Sequence, residues 1–183
     1  MDGYVSDGVV LVVFGALKVA MALVSMHPPT FVPTWLIPDD VSLQARVLEA
    51  CLLAFGIFSL LRGLTLLGVL SWAKDAGVPR GAGTAFVVLL GLFMIVYFGV
   101  SAALAGAYRG ARMELLGVAG GFSILASAAY AQRRWTVAAG LTAASMAFAA
   151  DALRRMWQLG TTPSATVGLD LASLTILAVF NAT

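Results

Sequence analysis

The chain has 183 residues, of which 61% are hydrophobic and 11% are charged, and its formal net charge is +2. A soluble domain of this length has too much surface for its volume to bury so many apolar side chains. Runs of about 20 apolar residues instead match a helix that crosses a hydrocarbon core about 30 Å thick. The composition therefore predicts an all-α polytopic transmembrane helical bundle. Residues 1–183 form one integral membrane domain, with four core spans in 1–135 and a C-terminal extension of one or two helices in 136–183.

The chain contains few residues that catalyse reactions or bind metals. Cys51 is the only cysteine, which excludes an internal disulfide and a thiolate metal cluster. His27 is the only histidine, so a site built from several histidines, or a catalytic triad, has almost no residues to use. The acids are scattered, and the Gly-rich loop that binds phosphate is absent from the sequence. Apart from Lys18, the basic residues lie near predicted span ends, where they anchor helices. We therefore expect no enzymatic activity, no catalytic residues, no metal, no cofactor and no nucleic-acid partner.

The first predicted span covers residues 9–26 and has Lys18 near its middle. Asp2, Asp7 and Lys18 argue against a cleaved signal or transit peptide, so we expect this span to be retained. Lys18 either extends its ammonium group to the headgroups or meets a partner within the membrane.

Residues 27–40 contain four prolines, which predict an extended connection rather than a helix.

The second predicted span covers residues 43–61, and an extension of its helix to residue 72 is left open. Arg46 and Arg62 are 16 positions apart, which is roughly 24 Å along a helix. Each arginine can therefore reach one membrane interface. Glu49 follows Arg46 by three positions, so the two side chains share a helix face and are predicted to pair.

Spans three and four are predicted over residues 84–106 and 113–131. Small residues recur along them at four-residue spacing: Ala102, Gly106 and Gly110, and then Gly117 and Gly121. Side chains this small let two membrane helices approach closely. These positions are therefore predicted to be helix-packing sites.

The last predicted segments cover residues 137–153 and 167–180. Span five has a stripe of small residues that ends in an acid and a base: Ala139, Ala143, Ala147, Asp151 and Arg155. We interpret this stripe as a helix-packing face that ends in an ion pair. The final segment contains Asp170 and is either a sixth span or a helix at the membrane interface.

Charged residues are costly within a membrane, so each one in a predicted span is a candidate for a structural or functional role. Glu49, Glu114 and Asp151 each lie within four residues of an arginine near a span end, so structural pairing is expected. The full set of predicted structural charges is Lys18, Arg46, Glu49, Arg62, Glu114, Asp151, Arg155 and Asp170. Lys18 and Asp170 are the one combination that could meet deep in the membrane. A proton or ion path through them is the alternative hypothesis, and it predicts a small transporter or channel.

Several short motifs resemble the ergosterol biosynthesis membrane scaffold family, over about residues 10–135. The motifs are Thr30-Phe31, Leu43-Gln44-Ala45-Arg46, Arg62, Gly91 with Phe93, and Phe122-Ser123-Ile124-Leu125. Leu92 stands where that family has a histidine, and Val96 where it has an acid. The resemblance implies a four-span protein that tethers sterol demethylation enzymes to the endoplasmic reticulum membrane.

These observations predict a non-catalytic membrane scaffold or an accessory subunit of a multi-protein complex. Its expected partners are other membrane proteins and membrane lipids. The complex is expected to be either a sterol-biosynthesis assembly in the endoplasmic reticulum or a respiratory complex of the mitochondrial inner membrane. In the second case the chain would be a supernumerary subunit.

Overall fold

A computed structural model describes residues 2–26, 43–70, 81–104, 112–158 and 165–182. These residues form six helices and no strand: α1 Asp2–Met26, α2 Leu43–Leu66, α3 Ala82–Leu104, α4 Arg112–Ala131, α5 Trp135–Gln158 and α6 Ala165–Ala182. Five of them, α1 to α5, contain apolar stretches of 19 to 24 residues that are long enough to cross a membrane. The predicted all-α transmembrane bundle is therefore confirmed. The proline-rich stretch 27–40, Gly106, Gly110 and the side chain of Asp170 lie outside the described part of the chain.

The first two helices form a tightly packed antiparallel hairpin. Gly15 lies against the backbone of α2 near Gly56, and Gly63 lies against the backbone of α1 near Gly8. A Cβ atom at Gly63 would lie 2.8 Å from the carbonyl oxygen of Gly8. Because these residues lack side chains, the two helix backbones touch directly.

The second helix ends earlier than the extension to residue 72 that the sequence left open. Gly68 adopts a left-handed φ of 76°. Its N–H donates to the Thr65 carbonyl, and the Val69 N–H donates to the Leu64 carbonyl, both at 3.0 Å. This is the Schellman arrangement that closes many helices with glycine.

Helices α3 and α4 form a second antiparallel hairpin, and α5 packs on the outer side of α4. Gly121 lies against the backbone of α3 at Gly91, and Gly117 lies against the ring of Phe98. Ser145 of α5 donates a hydrogen bond of 2.8 Å to the carbonyl oxygen of Ala119. Only α4 contacts α5 among the described helices.

The last helix joins the two hairpins. It contacts α1, α2, α3 and α4, and its apolar side chains Leu174, Leu177 and Ala178 lie in the same core cluster as Phe55 and Met94. Leu177 and Ala178 follow Leu174 by three and four positions, so the three side chains share one face of α6. The C-terminal extension predicted from the sequence therefore supplies a helix to the centre of the bundle.

The antiparallel packing sorts the helix ends into two groups. The starts of α1, α3 and α5 and the ends of α2, α4 and α6 lie at one end of the bundle, which we call the amino-terminal end. The remaining helix ends lie at the opposite end.

Candidate functional site

Two of the predicted ion pairs are present near the opposite end of the bundle. Nη1 of Arg46 lies 3.3 Å from Oε2 of Glu49. Asp151 holds two arginines, with one carboxylate oxygen 2.6 Å from Nη2 of Arg154 and the other 3.0 Å from Nε of Arg155. All these pairs are three or four residues apart on one helix, so helix geometry alone brings the partners together.

Glu114 does not pair with a nearby arginine as the sequence predicted. The residue is only 5% exposed, and its Oε2 has no hydrogen-bond partner in the described part of the chain. Arg112 precedes it by two positions and therefore points to a different side of α4. Glu114 lies instead in the first turn of this helix, where the helix dipole favours a negative charge.

Lys18 faces the interior of the bundle. Its side chain is fully buried, on the face of α1 that also carries the buried residues Leu11, Gly15 and Ala22. The structure therefore excludes the interpretation that Lys18 extends along the lipid surface to the headgroups. Because the side chain of Asp170 lies outside the described residues, the pairing of Lys18 with Asp170 stays a prediction.

Two side chains from neighbouring helices bind the end of α6. Arg62 of α2 donates through Nη1 to the carbonyl oxygens of Phe180 and Asn181. Thr84 of α3 donates through its hydroxyl to the carbonyl oxygen of Ala182, at 3.2 Å. The last carbonyls of a helix lack partners within that helix, so these donors satisfy groups that would otherwise be left without bonds at the bundle's edge.

Asn181 completes this contact from within α6. It is fully buried, and its Nδ2 donates to the hydroxyl of Ser59 at 2.7 Å and to the carbonyl of Leu177 at 2.9 Å. A Cβ atom at Gly83 would clash with Arg62 and with the backbone of Asn181. We call Ser59, Arg62, Gly83, Thr84 and Asn181 the α6 anchor. Of this set, the sequence pattern indicated only Arg62. The available signal for Asn181 was its position as a polar residue at the end of the last apolar segment.

The predicted small-residue positions fall into two environments. Gly117 and Gly121 face α3 in the interior, as described above, and Ala102 is half-buried near the end of α3. The stripe on α5, formed by Ala139, Ala143 and Ala147, is exposed. The prediction that this stripe packs against another helix is therefore not met within the described chain.

The outward position of that stripe follows from how α5 is placed. This helix faces α4 with Ala138, Ala152 and Met156, which are its buried residues. Only 11% of α5 is buried, against 72% of α4. Its other face is uncovered by the described chain over its whole length and ends in the paired charges of Asp151 and its two arginines. We call the exposed side that carries Ala139, Ala143 and Ala147 the α5 outer face.

Comparison with known proteins does not assign the chain to a family. No family model, no curated protein and no solved structure matches it. The resemblance to the ergosterol scaffold family therefore stays a prediction from the short motifs alone.

Proposed function

We propose that the chain is a non-catalytic membrane scaffold or accessory subunit that holds a helix of a partner protein on the α5 outer face. The observation that carries this proposal is the isolation of α5, which contacts only α4 among the helices that the structure describes. Lipid tails are as apolar as the side chains of a membrane helix, so hydrophobicity alone does not drive association there. Small residues favour the association of two membrane helices because they let the helix backbones approach closely. The α5 outer face has such residues at Ala139, Ala143 and Ala147.

The distribution of charge supports the same proposal. Glu49 and Asp151 are held by arginines of their own helices near the opposite end of the bundle, and Arg62 is engaged by the end of α6. These charges stabilise helices and their contacts, which is the role expected of them in a scaffold. The partner would be a subunit of a sterol-biosynthesis assembly in the endoplasmic reticulum or of a respiratory complex in the mitochondrial inner membrane. The short motifs favour the first.

Enlarging one residue of the α5 outer face is expected to release the partner. Ala143→Leu adds a branched side chain to an exposed position, so it should keep the chain folded but hold a partner helix at a distance. Recovery of the partner would be measured by mild-detergent purification of the tagged chain from its native membrane, followed by mass spectrometry.

Met146→Leu is the matched control, because Met146 is also exposed on α5 and the exchange conserves volume. Stoichiometric co-purification with the parent and with Met146→Leu, and its loss with Ala143→Leu, would support the proposal and identify the assembly. Purification of the chain alone, or equal recovery with all three chains, would contradict it.

Transport through the bundle is a second candidate function, favoured by the complete burial of Lys18 within a membrane span. An ionisable group in this position is a common feature of ion and proton pathways. Under this function, purified chain in liposomes conducts protons or small ions, and Lys18→Met abolishes that flux. Unchanged flux in the variant, or no flux in the parent, excludes it.

A further inference from the structure

The turn between α4 and α5 carries two adjacent arginines at the amino-terminal end of the bundle. The Arg134 N–H donates to the Ala129 carbonyl and the Arg133 N–H to the Tyr130 carbonyl, both at 2.9 Å. Arg133 has a left-handed φ of 57°. The backbone of this turn therefore has the same Schellman arrangement that ends α2.

The two turns differ in the residue that takes the left-handed conformation. At the end of α2 it is Gly68, and at the end of α4 it is Arg133, the only non-glycine residue with positive φ in the described chain. A Cβ atom disfavours this conformation, whereas glycine adopts it freely. Glycine would therefore adopt this backbone conformation at a lower free-energy cost than arginine. A residue kept in a costly conformation points to a function of its side chain.

That role is not a contact within the described chain. Arg133 and Arg134 are both exposed, and neither guanidinium makes a hydrogen bond or an ion pair with a described residue. Arg62, at the same end of the bundle, is already bound to the carbonyls of α6. As far as the described chain goes, the two turn arginines are therefore available to a ligand.

Two aromatic rings flank the arginines. Tyr130 and Trp135 are 51% and 59% exposed, and their rings meet edge to face with centroids 5.0 Å apart. Exposed tyrosine and tryptophan are typical of the headgroup region of a bilayer. There the apolar ring can contact lipid while the hydroxyl or indole N–H forms hydrogen bonds with water or headgroups. Because α4 and α5 both have the length and composition of membrane spans, the short turn between them must lie at that depth.

We propose that Arg133 and Arg134, flanked by Tyr130 and Trp135, bind the phosphate group of an anionic phospholipid in the leaflet at the amino-terminal end. Guanidinium groups donate paired hydrogen bonds that match the oxygens of a phosphate. The aromatic pair provides an apolar surface for the glycerol and the first methylene groups of the acyl chains. A soluble phosphate would make no use of these rings, so the site fits a lipid. This proposal is independent of the partner proposed for the α5 outer face.

The test is native mass spectrometry of the full chain released from phosphatidylcholine bilayers that contain phosphatidylglycerol. The parent should retain phosphatidylglycerol in preference to phosphatidylcholine. Arg134→Gln and Arg133→Gly should each lower that preference by about fivefold, the effect expected for one basic residue near an anionic surface. Arg133→Gly should at the same time leave the thermal midpoint of unfolding unchanged or higher, because glycine suits the left-handed turn.

Arg154→Gln is the control, since Arg154 is an exposed arginine at the opposite end and is paired with Asp151. It should keep the full preference for phosphatidylglycerol. An unchanged preference in the double variant Arg133→Gly with Arg134→Gln would overturn the proposal, as would an equal loss in Arg154→Gln. Displacement of the lipid by inorganic phosphate alone would also overturn it, because the site would then bind a soluble anion.

Discussion

Replacing Gly63 by alanine is expected to destabilise the bundle by about 1–3 kcal/mol, the usual cost of adding volume to a well-packed contact. The added Cβ would lie 2.8 Å from both the Gly8 carbonyl oxygen and the Val12 backbone nitrogen. Backbone atoms cannot rotate away as a flexible side chain can, so α1 and α2 have to separate. Gly63→Leu should be worse and should prevent the hairpin from closing.

The matched control for this experiment is Gly140→Ala on α5. A Cβ atom at Gly140 would have no neighbour within 4 Å, and alanine is favoured over glycine in a helix interior by up to about 1 kcal/mol. The two substitutions are chemically identical and should change the free energy of unfolding in opposite directions. Unfolding in mild detergent with increasing dodecyl sulfate, followed by tryptophan fluorescence, would measure both. Equal destabilisation by the two variants would contradict the proposed contact between α1 and α2.

Removing the guanidinium of Arg62 is expected to loosen the end of α6. Arg62→Leu leaves the carbonyls of Phe180 and Asn181 without this donor, and a hydrogen bond from a charged group contributes about 1.5–3 kcal/mol. Because α6 joins the two hairpins, the loss should extend to the contacts between them. Hydrogen–deuterium exchange should rise first at the end of α6, and the free energy of unfolding should fall.

Two further variants make this prediction specific to Arg62. Arg62→Lys should recover part of the stability, because an ammonium group keeps the charge but lacks the planar fork of donors. Arg154→Gln should change stability little, since Arg154 is 65% exposed and Asp151 retains Arg155. Unchanged exchange in α6 of Arg62→Leu would show that the α6 anchor does not hold this helix.

Some of the side-chain contacts were predictable because they depend on one helix only. The pairs Arg46 with Glu49, and Asp151 with Arg155, follow from spacings of three and four residues, which place side chains on one face. The same reasoning explains why the ion pair predicted for Glu114 does not form. Its neighbour Arg112 is two positions away, a spacing at which helix geometry separates the side chains.

The contacts between helices were much less predictable, and the small-residue patterns show why. Gly117 and Gly121 have the same four-residue spacing as Ala139 and Ala143, yet the first pair is buried against α3 and the second is exposed. In a membrane, lipid and protein present similarly apolar surroundings, so the pattern does not report which surface meets a neighbour. The α6 anchor was missed for a related reason, because it joins Ser59 to Asn181 across 122 positions of the chain.

The amino-acid sequence by itself determined that this chain is an all-helical membrane protein, together with the approximate position of each span. Those properties depend on the length and hydropathy of local segments, since a bilayer requires every spanning segment to satisfy its own backbone hydrogen bonds. Only the tertiary structure decided that α6 lies at the centre, that Lys18 faces inward and that α5 stands at the edge. These placements depend on contacts between residues far apart in the chain, where the fit of one helix surface to another, rather than hydrophobicity, selects the arrangement.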